Sequence, residues 1–128
     1  MKDASANMEP HRRRLPARRP SITCQIEWQG QAFTVTVGID PITGQPLEVF
    51  AGEAKGQMLA TIGDACVALS LAMQYGAPVA ELAKSMGQVP EWVLDGGEMV
   101  ETVRPASPIG AVVAAIMRVG KNSEGDGE

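Results

Sequence analysis

The side chains able to do chemistry in this chain are few and scattered. Glu48 stands in the run Leu47-Glu48-Val49-Phe50, while Ser70 and Tyr75 lie in an alanine-rich stretch. A lone carboxylate with no second acid or base beside it is not an acid–base pair. Glu48 therefore reads as a strand residue, partly solvated or capping the helix that follows. A serine needs a positioned base to become a nucleophile, and the single histidine, His11, lies in the basic N-terminal segment. Ser70 thus reads as a small packing residue and Tyr75 as a helix-end anchor. Cys24 and Cys66 have no C-x-x-C spacing and both fall on apolar positions, so they read as buried free thiols. No catalytic residue and no metal ligand is assigned.

The charge clusters are more suggestive. Arg12, Arg13, Arg14, Arg18 and Arg19 crowd one short segment, together enough to neutralise several phosphates in salt-sensitive contact with nucleic acid. Docking on an acidic partner and simple solvation are the other readings of such a segment. No aromatic residue is interleaved, which disfavours base stacking. Gly52-Glu53-Ala54-Lys55-Gly56 links a strand to a helix and carries a lysine, but it lacks the P-loop spacing. Lys55 is at most a weak phosphate contact at a helix start.

The elements that must position these groups follow from periodicity. Residues 1–20, with Pro10, Pro16 and Pro20 among charges, are expected to form a disordered basic arm. Ile22, Cys24, Ile26 and Trp28 alternate with polar residues, Phe33, Val35, Val37 and Ile39 alternate with Ala32, Thr34, Thr36 and Gly38, and Gln29-Gly30 supplies a two-residue turn. Leu47 to Phe50, led by Pro46, reads as a third strand, at an edge. Met58, Leu59, Ile62, Cys66, Leu69 and Met73 form the stripe of a long helix expected to cover the sheet, with Gly76 at its C-cap and Pro78 beyond. Val79, Leu82, Ala83 and Met86 mark a short second helix. Residues 88–106 read as a loop with a short strand at Val100–Val103. Ser107-Pro108 opens a third helix, in which Gly110, Ala111, Ala114 and Ala115 form a small-residue face. That face suits either a homodimer or packing within the chain. Residues 121–128 are expected to be a disordered tail.

The expected fold class is α+β, one domain over residues 21–120: a small antiparallel sheet of three or four strands under one long and two shorter helices. With 128 residues the chain can bury one modest core. Its net charge of −4 is uneven: residues 1–21 carry +4 and the remainder −8. The body would repel nucleic acid while the arm attracts it. No run of eighteen apolar residues and no apolar stretch behind the basic N-terminus is present, so neither a membrane span nor a signal is expected, and the expected location is cytoplasmic.

Gly44-Gln45-Pro46-Leu47-Glu48-Val49-Phe50, followed by the small-residue helix ending Tyr75-Gly76-Ala77-Pro78, resembles the TSCPD domain. That domain closes vitamin B12-dependent (class II) ribonucleotide reductases and also occurs as a small free-standing protein. The resemblance makes Pro46, Glu48, Val49, Phe50, Tyr75, Gly76 and Pro78 signature positions. It implies a link to deoxyribonucleotide synthesis, a reductase subunit as partner, and adenosylcobalamin present only through that associated reductase, with no cofactor bound directly. It also implies ribonucleoside-diphosphate reductase activity on paper. The chain departs from the pattern in having no Thr-Ser-Cys-Pro-Asp segment and no C-terminal cysteine pair. The expected function is therefore a non-catalytic accessory or binding module, with a small nucleic-acid-binding protein acting through the arginine arm as the alternative.

Overall fold

The computed structural model describes residues 11–54 and 56–126, with side chains placed through Gly120. Three strands come first: β1 (Ser21–Trp28), β2 (Gln31–Ile39) and β3 (Pro46–Gly52). They form one antiparallel sheet in the order β1-β2-β3. The register pairs Ile26 with Phe33, Cys24 with Val35, and Val37 with both Ile22 and Val49. Alternation therefore puts the apolar set of all three strands on one face, as the period of two requires. Gln29 and Gly30 both take positive φ, 52° and 81°, the geometry of the tight turn expected between β1 and β2.

Helices α1 (Gly56–Gln74), α2 (Val79–Ser85) and α3 (Pro108–Asp126) complete the first layer of packing. The fold class is α+β, as expected, but the helices exchange roles. The face of the sheet is covered by α3, which touches β1, β2 and β3, whereas the contacts of α1 concentrate on β3. Val112, Val113, Ala115 and Ile116 of α3 lie in the core with Phe33, Val35 and Val37. From α1 the stripe Ile62, Cys66, Leu69 and Met73 joins them, with Met58 packed against the cluster. α3 is as long as α1, and its backbone stays helical through Asp126, within the segment expected to be a disordered tail. Its small-residue face is used inside the chain: a Cβ on Gly110 would sit 3.2 Å from Pro105, and Ala111 and Ala115 are buried. Of the two uses expected for that face, packing within the chain is the one seen for Gly110, Ala111 and Ala115.

α1 ends as its sequence predicts. Gly76 has φ 107°, and the amides of Gly76 and Ala77 bond back to the carbonyls of Met73 and Ala72, closing a Schellman cap. By length and composition α1 could cross a membrane. Its stripe is nevertheless packed in the core, while Val67 and Leu71 stay exposed.

Residues 88–106 correct the expectation of a loop. β4 (Gln88–Asp95) and β5 (Glu98–Pro105) form a separate two-stranded sheet. Gly96 and Gly97 both have positive φ and make its turn. Trp28 donates through Nε1 to the Pro105 carbonyl at 3.2 Å, tying the hairpin to β1, and the Ala106 N–H donates to the Gly87 carbonyl at 3.0 Å, closing the hairpin's own base. The register places Trp92, Leu94, Met99 and Val103 on one face, and all four are exposed. Apolar residues on both faces erase the polar–apolar alternation by which a strand is recognised.

Candidate functional site

β3 is an edge strand, and α1 seals it. Ser70 Oγ accepts from the Val49 N–H at 2.9 Å and donates to the Val49 carbonyl at 3.3 Å. One turn later Gln74 donates through Nε2 to the Leu47 carbonyl at 3.0 Å. Four helical residues advance about 6 Å and two strand residues about 6.6 Å, so an i, i+4 pair of polar side chains matches an i, i+2 pair on the edge. Ser70 is therefore more than a packing residue: it completes the hydrogen bonds of β3. Gln74 was not singled out from the sequence. It is the one buried polar side chain among the described residues, and its signal is its place one turn after Ser70.

Gln74 also anchors the N-terminal segment. Its Oε1 accepts from Arg12 Nε, and its backbone carbonyl accepts from the Arg13 N–H at 2.8 Å. Arg13 reaches the β2–β3 loop, donating to Asp40 at 3.2 Å, Gln45 at 3.2 Å and Thr43 at 3.4 Å. Asp40 accepts from the Ile42 N–H and the Thr43 hydroxyl as well. The Ile42 amide first, then Thr43 and the Arg13 guanidinium, hold its carboxyl below the usual range. Arg19 pairs with Glu48 at 2.8 Å. Leu15 packs against the core cluster, and Gly38 leaves room for it, since a Cβ there would meet Leu15 and Glu48 at 3.2 Å.

Residues 11–20 are thus a docked strap, which corrects the expectation of a disordered arm for this part; residues 1–10 lie outside the described residues. Three of the five arginines bond to the body, Arg12 through Nε alone and Arg13 and Arg19 through their terminal nitrogens. Arg14 and Arg18 are exposed.

Between the strap, β3 and α1 runs a groove of about 630 Å³. Arg12, Arg14 and Arg19 line it together with Glu48, a formal charge of +2 in a protein of net −4. Phe50, 54 % exposed, and Val67 form an apolar wall, and Cys66 lies at the buried side. Burial pushes the Cys66 thiol up to about 11, so it is protonated near neutral pH and a poor nucleophile. The signature positions divide between two hollows. Glu48, Val49 and Phe50 line the groove, whereas Pro46, Gly76 and Pro78 line a second, more apolar cavity of about 450 Å³ with Met73 and Met117. Tyr75 stands half exposed at the end of α1. Lys55 lies outside the described residues. Among the described residues no cluster of histidine, cysteine and carboxylate side chains could hold a metal.

Fold and groove together define a small α+β domain with a cationic, partly apolar cleft along a sealed sheet edge. The chain belongs to the TSCPD domain family, whose family model matches residues 7–119. Neither the curated proteins nor the solved structures contain a match to this chain.

Proposed function

We propose that this chain is a non-catalytic binding module associated with ribonucleotide reduction, supplying a docking or ligand-holding surface to a reductase subunit. The observation that carries the reading is the groove itself: signature residues Glu48 and Phe50 face the arginine strap. The thiol beside them is held protonated, and the other cysteine, Cys24, is a free thiol on β1. Radical chemistry on a ribonucleotide needs a thiyl-forming cysteine and a dithiol to regenerate it. A buried thiol and a single strand cysteine do not provide that pair. Adenosylcobalamin enters this reading only through the associated reductase.

The test is direct. The purified chain is mixed with a cobalamin-dependent reductase truncated of its terminal domain, and association and turnover are both measured. Co-migration with restored or altered turnover is the expected result. Absence of both association and any change in turnover would overturn the reading. Deoxynucleotide formation by the chain alone, with adenosylcobalamin and a dithiol, would overturn its non-catalytic part.

A further inference from the structure

We propose that the groove between the strap, β3 and α1 binds a nucleoside phosphate, with Arg12 and Arg14 on the phosphate and Phe50 against the base. The proposal deepens the reading of this groove as a binding site and is independent of which reductase, if any, the chain joins.

Four observations converge on it. The buried Gln74 accepts from Arg12 Nε and is itself fixed by the Leu47 carbonyl, so the guanidinium is aimed by a chain of hydrogen bonds. Its two terminal nitrogens make no hydrogen bond to the described residues, which leaves a planar pair of donors of the kind that grips phosphate bidentately. Arg14 lines the same groove and makes no ion pair among the described residues. Arg19 neutralises Glu48 at 2.8 Å, so the carboxylate in the groove does not repel an incoming anion.

The apolar wall selects for more than a bare anion. Phe50 projects from the outer face of β3 and remains exposed beside Val67. An exposed phenyl ring offers an aromatic base a stacking surface. The volume of about 630 Å³ lies within the range of small-molecule sites. An anion alone would leave this wall wet, and an apolar ligand alone would leave the arginines unused.

Titration of the isolated chain with ADP, followed by amide chemical shifts and calorimetry, tests the proposal. ADP is expected to move the amides of Phe50, Val67 and Ser70, and to bind about tenfold or more tightly than either inorganic pyrophosphate or adenosine. Arg14→Gln and Phe50→Ala are each expected to weaken ADP binding by about tenfold. Arg12→Gln should do the same, but it also touches the strap, so Arg14→Gln is the decisive variant, checked for an unchanged melting temperature. Shifts confined to other surfaces, or no binding at millimolar ADP, would overturn the proposal. So would pyrophosphate binding as tightly as ADP, which would make the groove an anion site without a nucleoside. Because no reductase is present, failure here is distinct from failure to associate with one.

Discussion

The Ser70 hydroxyl makes both of its hydrogen bonds to a single residue, accepting from the amide of Val49 and donating to its carbonyl. In the place where another strand would pair, a helical hydroxyl satisfies the edge. Open strand edges invite pairing with other chains, and here the i, i+4 pair Ser70 and Gln74 closes one. The same glutamine holds the strap, so the sheet edge, the helix and the N-terminal segment share one buried side chain.

Replacing Gln74 by Leu should therefore cost more than a typical polar-to-apolar change. It leaves the Leu47 carbonyl without its partner and removes the acceptor of Arg12, a loss of about 1–3 kcal/mol. Urea unfolding is expected to show it. Trypsin should also cleave at Arg12–Arg14 faster in the variant than in the parent. Ser70→Ala should cost about 1–2 kcal/mol without speeding that cleavage.

Deleting residues 1–19 is expected to destabilise the domain by about 2 kcal/mol, because Leu15 leaves the core cluster. The Arg19–Glu48 pair is lost as well. A milder probe is Gly38→Val, whose side chain would intrude on Leu15 and Glu48. It should loosen the strap while β1–β3 stay paired, seen as faster amide exchange confined to residues 11–19.

The acid limb of stability should report Asp40. Its carboxyl is held below the ordinary value, so its contribution is present above the unfolded value of about 3.9 and is lost as the pH falls through the lower folded value. Asp40→Asn should flatten part of the decline below about pH 4 in a series of melting curves.

The alkaline limb should report Cys66. Its folded value, raised by burial to about 11, exceeds the unfolded value, so the folded state keeps a proton that the unfolded chain loses. Stability from this thiol is complete below about pH 9 and lost as the pH rises toward about 11. Cys66→Ala should remove that increment from the pH dependence. A thiol reagent is expected to label Cys24 in the native protein well before Cys66.

Trp28 pins the hairpin by one hydrogen bond to the Pro105 carbonyl. Trp28→Phe should cost about 1 kcal/mol and, more tellingly, should raise amide exchange in β4 and β5 ahead of β1–β3. A two-stranded hairpin has little independent stability, so loss of its tether should be felt locally first. Uniform acceleration across the whole chain would count against this.

What the sequence determined by itself was local. Alternation fixed β1 and β2, Gln29-Gly30 fixed their turn, Gly76 and Pro78 fixed the end of α1, and the small residues after Pro108 marked a helix. Glu48 and Phe50 were legible as signature positions, and the crowding of arginines was visible as charge. Tertiary structure decided the rest. Periodicity says that a helix has an apolar face but not what that face meets, so α1 and α3 exchanged places: α3 covers the sheet, and α1 closes its edge. The hairpin at residues 88–105 escaped because both of its faces carry apolar residues and the period of two vanished. The strap looked like a disordered arm because its anchors lie far along the chain. Arg12 and Gln74 are 62 residues apart, and nothing in either neighbourhood announces the other. Local pattern follows from backbone geometry and side-chain polarity. Where a buried amide finds its partners is settled only when the chain has closed around it.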